Sequence, residues 1–179
     1  MDDRMIKLFQ MEIKNQCQFA LLSIESINKL MMPPLATFDS NEVWFYIQSF
    51  LNSTANVSKL LFGTKDRVSA ARKTLRDSLN VSDDSVIKIR DMRNHFEHFD
   101  ERIEKWNKTS VRHNFADKLI GPTNMIQGLD QKDYFRHFDT TKGAITFNGE
   151  EYLIQPIVDE LVKIHTVTSK LEFQKVYQP

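Results

Sequence analysis

Between Ile6 and Met31 the apolar residues Ile6, Phe9, Ile13, Cys17, Leu21, Ile24, Ile27 and Met31 recur every three or four positions. That spacing is a single stripe along one long helix, which must bury the stripe against other elements. Asp2 and Asp3 stand at its start, where the positive end of the helix dipole favours carboxylates. Pro33-Pro34 ends it, because proline lacks an N–H and the residue before it avoids helical geometry. The whole chain holds only 5 Gly and 5 Pro in 179 residues. Chain-breakers this sparse exclude a sandwich or barrel of many short strands, and the expected class is mainly α.

The rest of the chain repeats the pattern in shorter pieces. Asp39 lies three residues before Glu42, a spacing close to a capping box, and predicts a second helix with Trp44, Ile47, Leu51, Ser58 and Leu61 inward as far as Gly63. A shorter helix follows, with Val68, Ala71, Leu75 and Leu79 inward. Ser82-Asp83-Asp84 offers a capping hydroxyl and two carboxylates to open another long helix. Its stripe is Ile89, Met92, Phe96, Phe99, Ile103 and Trp106. Residues 107–133 lose this periodicity, contain Gly121-Pro122 and read as a connecting loop. Tyr134 to Phe138, Ala144 to Phe147 and Tyr152 to Ile154 read as short strands, with turns at Thr140-Thr141-Lys142-Gly143 and Asn148-Gly149. Pro156 suits the first turn of a closing helix whose stripe is Ile157, Leu161, Ile164, Thr168 and Leu171. Residues 1–179 thus read as one helical-bundle domain with a small antiparallel hairpin or meander, in an insertion at about 107–154, before the last helix.

Charge and cysteine usage narrow the function. The 24 Lys+Arg balance 24 Asp+Glu, which argues against a protein that coats long nucleic acid but leaves room for a local phosphate site. Cys17, the one cysteine, points to a reducing compartment. The first residues lack a leader pattern and no run approaches a membrane span, so a cytoplasmic protein is expected. No membrane partner, cofactor or metal is expected.

The one dense cluster of reactive side chains runs from Arg90 to Arg102. On a helix of about 100° per residue, Arg90, Asn94, Glu97, His98 and Glu101 fall opposite the apolar stripe, with Arg93 and His95 on the flanks. Asn94 and His98, four apart, are surface neighbours, so the amide can select the imidazole tautomer. Arginine and histidine suit metal-free RNA cleavage. Imidazole exchanges a proton with a ribose hydroxyl or a leaving oxygen, while guanidinium holds phosphate oxygens. One histidine cannot easily act on both sides of one phosphorus, but two copies of the helix across a two-fold axis supply a pair.

Arg93-Asn94-x-x-x-His98, late on a helix that follows two earlier long helices, resembles the R-x4–6-H signature of the HEPN superfamily. The resemblance covers residues 1–106 and, through the last helix, extends to the whole chain. It implies a helical bundle that pairs as a homodimer through the motif helix and cleaves RNA as a metal-independent endoribonuclease, in a toxin, phage-defence or RNA-processing setting. By the same resemblance Arg93 and His98 are catalytic and Asn94 orients them; Arg90 and Arg102 are substrate-binding candidates, and a protein antitoxin is a candidate partner. The second position after His98 is Asp100, where many toxins of this kind paired with nucleotidyltransferases have tyrosine, so regulation through such a tyrosine is not expected.

Other readings use the same residues. Arg93–Glu97 and His98–Arg102 suit plain surface pairs, each contributing a few tenths of a kcal/mol. Arg90 and His95 also fit R-x4-H, though Asp91 beside Arg90 would repel phosphate. His95 and His98 are too few ligands for a convincing zinc site. His137 alternates like an exposed strand residue, and with Arg136 it reads as hairpin surface or the wall of an RNA path. His165 and Cys17 read as structural. The runner-up function is a catalytically inactive HEPN-like dimeric module that binds a nucleotide, RNA or protein through the same polar face.

Overall fold

The computed structural model describes residues 1–32, 39–88 and 98–171, with residue 131 described by its backbone alone. Helix α1 (Asp3–Leu30) starts where its carboxylates indicate, with Asp2 Oδ1 accepting from Met5 N–H at 2.7 Å. Its buried face is Gln10, Ile13, Cys17, Ala20, Ser23 and Ile27, while Ile6, Phe9, Leu21 and Ile24 are only partly covered. The stripe is therefore rotated toward Ala20 and Ser23, small side chains that a count of large apolar residues passes over. Burial pushes the Cys17 thiol up to about 12, which leaves it inert at neutral pH. The expected stop at Pro33-Pro34 lies outside the described residues.

Helix α2 (Ser40–Phe62) is capped by Asp39, which accepts from Asn41 N–H at 2.8 Å. It packs along α1, burying Trp44, Ile47, Phe50, Leu51, Val57 and Leu61. Gly63 ends it at φ 66°, and a Cβ there would meet Val68 Cγ1 at 2.5 Å, so glycine alone makes this turn without a shift.

The following segment is two short helices, α3 (Asp66–Ala71) and α4 (Lys73–Ser78), broken at Arg72. Leu75 and Leu79 are buried as expected, but Ala71 is exposed. The break turns two guanidiniums onto the end of α2. Arg72 Nη1 donates to Lys59 O and, at 3.0 Å, to Leu60 O; Arg76 Nη1 donates to Leu61 O at 3.0 Å and Ser69 O at 2.8 Å. Lys59, Leu60 and Leu61 belong to the last turn of α2, whose carbonyls carry its negative dipole end, and Ser69 to α3; Lys59 O also accepts from Gly63 N–H at 2.9 Å. Arg76 is 4% exposed and its Nε also donates to Asp83 Oδ1 at 2.8 Å.

That pairing corrects the expected long helix from Ser82. Residues 83–84 form a turn, followed by a single 3-10 turn at Val86–Lys88. The groups assigned to a cap are bound elsewhere: Asp83 holds Arg76, Ser82 Oγ donates to Asp84, and Ser85 Oγ donates to Glu160 at 2.8 Å. Ile89, Met92 and Phe96 of the expected stripe lie outside the described residues. Helical structure is next seen in α5 (Phe99–Thr109), where Phe99 and Trp106 are partly covered and Ile103 is 39% exposed.

The strand-rich insertion is a four-stranded sheet in the order β1-β2-β3-β4: β1 (Leu119–Ile120), β2 (Arg136–Asp139), β3 (Ala144–Phe147) and β4 (Glu150–Leu153). The β2-β3 and β3-β4 pairs are antiparallel, as expected, and Asn148-Gly149 turns at φ 48° and 82° as a tight hairpin requires. Strand β1, which pairs parallel to β2, falls within the stretch read as loop; its two residues are too few to show alternation. Phe138 and Ile145 point from one face into the helical core, which is closed by α6 (Gln155–Ser169) packing on α1 through Ile157, Leu161, Ile164 and Thr168.

The other sheet face is polar yet buried, which overturns the expectation that His137 is exposed. His137 is 1% exposed because the loop after β1 covers it, and its Nε2 lies 2.7 Å from Gly121 O. Asp139 beside it is 2% exposed and accepts from Thr141 and Lys142 N–H at 2.9 and 3.0 Å, from Thr123 N–H at 3.2 Å and from the Thr123 hydroxyl. Burial alone would raise its pKa, but these hydrogen bonds together hold it below the usual aspartate value.

Two outcomes follow for stability. Arg76→Ala leaves buried carbonyls without donors and should cost about 3 kcal/mol in urea unfolding, with Arg76→Lys recovering only part because it lacks the fork. Because the folded-state pKa of Asp139 is depressed, its contribution is complete above the unfolded value and lost as pH falls through the folded one. Asp139→Asn should therefore narrow its stability deficit relative to wild type in unfolding curves taken from pH 6 down to pH 2, by the linkage of proton binding to folding.

Candidate functional site

Of the residues singled out, Arg90, Arg93 and Asn94 lie outside the described residues, together with His95 and Glu97. The structure places the other two, His98 and Arg102, at the start of α5. His98 is the residue that precedes the first helical turn, with φ −115° and ψ 44°, so it is an N-cap rather than a mid-helix position. Its carbonyl accepts the first helical hydrogen bond, from Arg102 N–H at 3.1 Å. Its imidazole is half exposed, and Nδ1 lies 3.4 Å from Glu101 Oε1. The expected outward orientation holds, for a different local reason.

Glu101 is the partner that sequence reading missed. The signal was present, since residues three apart on a helix are neighbours, but Asn94 at four apart was preferred. A carboxylate beside Nδ1 favours the tautomer that carries its proton there, which leaves Nε2 as the ring's acceptor. Asp100 and Glu101 in the first turn also match the positive end of the α5 dipole.

Aromatic packing holds α5 in place. Phe99 meets Phe135 and Phe147 edge-on at 5.3 and 6.0 Å between ring centroids, and at the other end Trp106 meets Phe115 at 4.7 Å. Phe115 lies 4.9 Å from Phe135, so the cluster is continuous beneath the helix. Arg136, read from sequence as hairpin surface, is instead a joint. Its Nε and Nη2 bind both oxygens of Asp117 at 2.6 Å, and its guanidinium stacks 4.8 Å from the Phe99 ring and 5.7 Å from Trp44 of α2. One cation thus ties sheet, α2 and α5 together at the turn that presents His98.

At the far end of α5 a cleft of about 470 Å³ opens between the helix terminus and the 3-10 turn Gln131–Asp133, lined among others by Lys105, Trp106, Arg112 and Lys132. Among the described residues no group of three or more His, Cys, Asp or Glu side chains could hold a metal ion, and no helix is long and apolar enough to cross a membrane. Comparison with family profiles, with curated proteins and with solved structures finds no match to this chain.

Asp117 is 17% exposed and both of its oxygens are bound by Arg136. Arg136→Met should destabilise the fold by about 3 kcal/mol, the range for breaking a largely buried pair from one side. Arg136→Met/Asp117→Leu should recover more than half of that in the same unfolding assay.

Proposed function

We propose that this chain is a metal-independent endoribonuclease of the HEPN kind that works as a homodimer, in the manner of a toxin or phage-defence effector. The observation that carries the reading is the half-exposed His98 with Glu101 on its Nδ1, since an oriented imidazole is what proton transfer to and from RNA requires. Arg102, one turn along, supplies a guanidinium on the same side of α5, joining the Arg93 and Asn94 of the motif.

In this reading His98 Nε2 takes the proton of a ribose 2′-OH, and the 2′-oxygen attacks the adjacent phosphorus. The P–O5′ bond breaks, and His98 of the partner subunit protonates the departing 5′-oxygen. Arg93 and Arg102 stabilise the charge that develops on the phosphoryl oxygens. The products are a 2′,3′-cyclic phosphate and a 5′-hydroxyl. The balanced charge of the chain favours the second reading, a catalytically silent dimeric module that binds nucleotide, RNA or protein through the same face.

Cleavage of mixed RNAs in EDTA decides between them. His98→Ala should lower the rate by about 10²–10⁴-fold, the usual contribution of a general acid or base. Glu101→Gln should lower kcat with little change in KM, because it alters the orientation of His98 and leaves the phosphate contacts intact. Undiminished cutting by His98→Ala would remove the nuclease reading, and inertness of the folded wild-type protein would leave the binding module.

A further inference from the structure

We propose that the cleft at the C-terminal end of α5 binds the phosphates of a single RNA strand whose cleavage point lies at His98, a reading that rests on the nuclease proposal above. The geometry of α5 connects the two places. At about 100° per residue, Arg102, Lys105 and Thr109 fall within about 40° of His98 on the helix surface, so all four share one face. Lys105 and Thr109 also line the cleft. From His98 to Lys105 the axial rise is about 10 Å, which a strand crosses in about three nucleotides at the stacked spacing of 3.4 Å.

The polar groups of the cleft are matched unevenly. Its acids are engaged: Asp133 is 6% exposed and accepts from Asp130 N–H at 2.9 Å, and Asp130 lies 3.4 Å from Arg112. Its lysines are not, for among the described residues neither the Lys105 nor the Lys132 ammonium has a hydrogen-bonding or ionic partner. Trp106 contributes a ring wall whose buried Nε1–H has no acceptor among the described residues. A volume of about 470 Å³ falls in the range of sites that hold a small ligand or one nucleotide. Unmatched ammonium groups beside an indole suit a phosphate with its base, since aromatic walls accept any base face and lysines neutralise the backbone. Balanced net charge is no obstacle, because the cleft lining carries three cations, Lys105, Arg112 and Lys132, against the two carboxylates Asp130 and Asp133.

The test measures binding of a fluorescein-labelled oligouridylate whose 2′-hydroxyls are methylated, so that no 2′-oxygen attack is available. Lys105→Ala/Lys132→Ala should weaken binding about 25-fold at 0.1 M salt and reduce the log–log salt slope by about 1.4, the effect of losing two single-strand phosphate contacts. Lys7→Glu/Lys65→Glu, a larger charge change on exposed residues away from α5, should bind as wild type. Wild-type affinity and slope in the double alanine variant would overturn the cleft assignment, even where His98→Ala still abolishes cleavage. Weakened binding alongside cleavage that survives His98→Ala would overturn the nuclease reading and keep the cleft as an RNA-binding site. An equal loss in the Lys7/Lys65 variant would show nonspecific attraction and overturn the cleft.

Discussion

Arg136 is the contact on which the placement of the candidate site depends. A guanidinium that is 16% exposed cannot stay charged at low cost unless its donors are matched, and the two oxygens of Asp117 match its fork. Its planar faces then serve as packing surface toward Trp44 and Phe99. The three elements it touches come from distant parts of the chain, so the pair fixes where α5 begins relative to the helical core. A helix held only by apolar rings could rotate among similar packings; a guanidinium fixed by its bidentate pair with Asp117 gives the Phe99 ring at the start of α5 a set face to stack on.

The same device recurs at the end of α2, where Arg72 and Arg76 occupy the terminal carbonyls and lie over the rings of Phe9 and Phe62. In both places arginine does what lysine could not, because a fork can bind two acceptors while its face covers an aromatic ring. Several charges in this neutral chain are therefore internal to the fold. What remains for a partner is smaller than composition suggests, and it is more localised.

Legibility in the sequence followed the length of each periodic run. α1, α2 and α6 were readable because their stripes continue for many turns and their starts carry local signals, Asp2 and Asp39 at the caps and Pro156 in the first turn. The β2-β3-β4 meander was readable from Asn148-Gly149 and the turn before Ala144. Ser82-Asp83-Asp84 misled, since a cap signal competes with tertiary partners and Arg76 claims Asp83 from outside the local window. His137 misled for a related reason: alternation separates the two faces of a strand but cannot tell that a later loop buries the polar one. At the candidate site, the wheel placed His98 outward on the premise of a mid-helix position, whereas its exposure comes from its place at the N-cap of α5. Its partner Glu101 and the cleft were not legible, because the cleft is built from α5 and from a turn more than twenty residues away.

Basic residues near a helix C-terminus are ordinarily explained by the dipole, and α5 invites that explanation, with Asp100, Glu101 and Glu104 early and Lys105 and Lys108 late. The structure separates the two lysines. Lys108 lies 3.7 Å from Glu104, a surface pair one turn apart that adds a few tenths of a kcal/mol to the helix. Lys105 has no such partner among the described residues and lines the same cleft as Lys132 of the 3-10 turn. A dipole acts on both helix lysines and gives no reason for a further cation from another part of the chain to line the same cleft. Three cations, Lys105, Arg112 and Lys132, line that cleft with two carboxylates, Asp130 and Asp133, of which Asp130 is held by Arg112, so its lining is positive on balance and suits an anion.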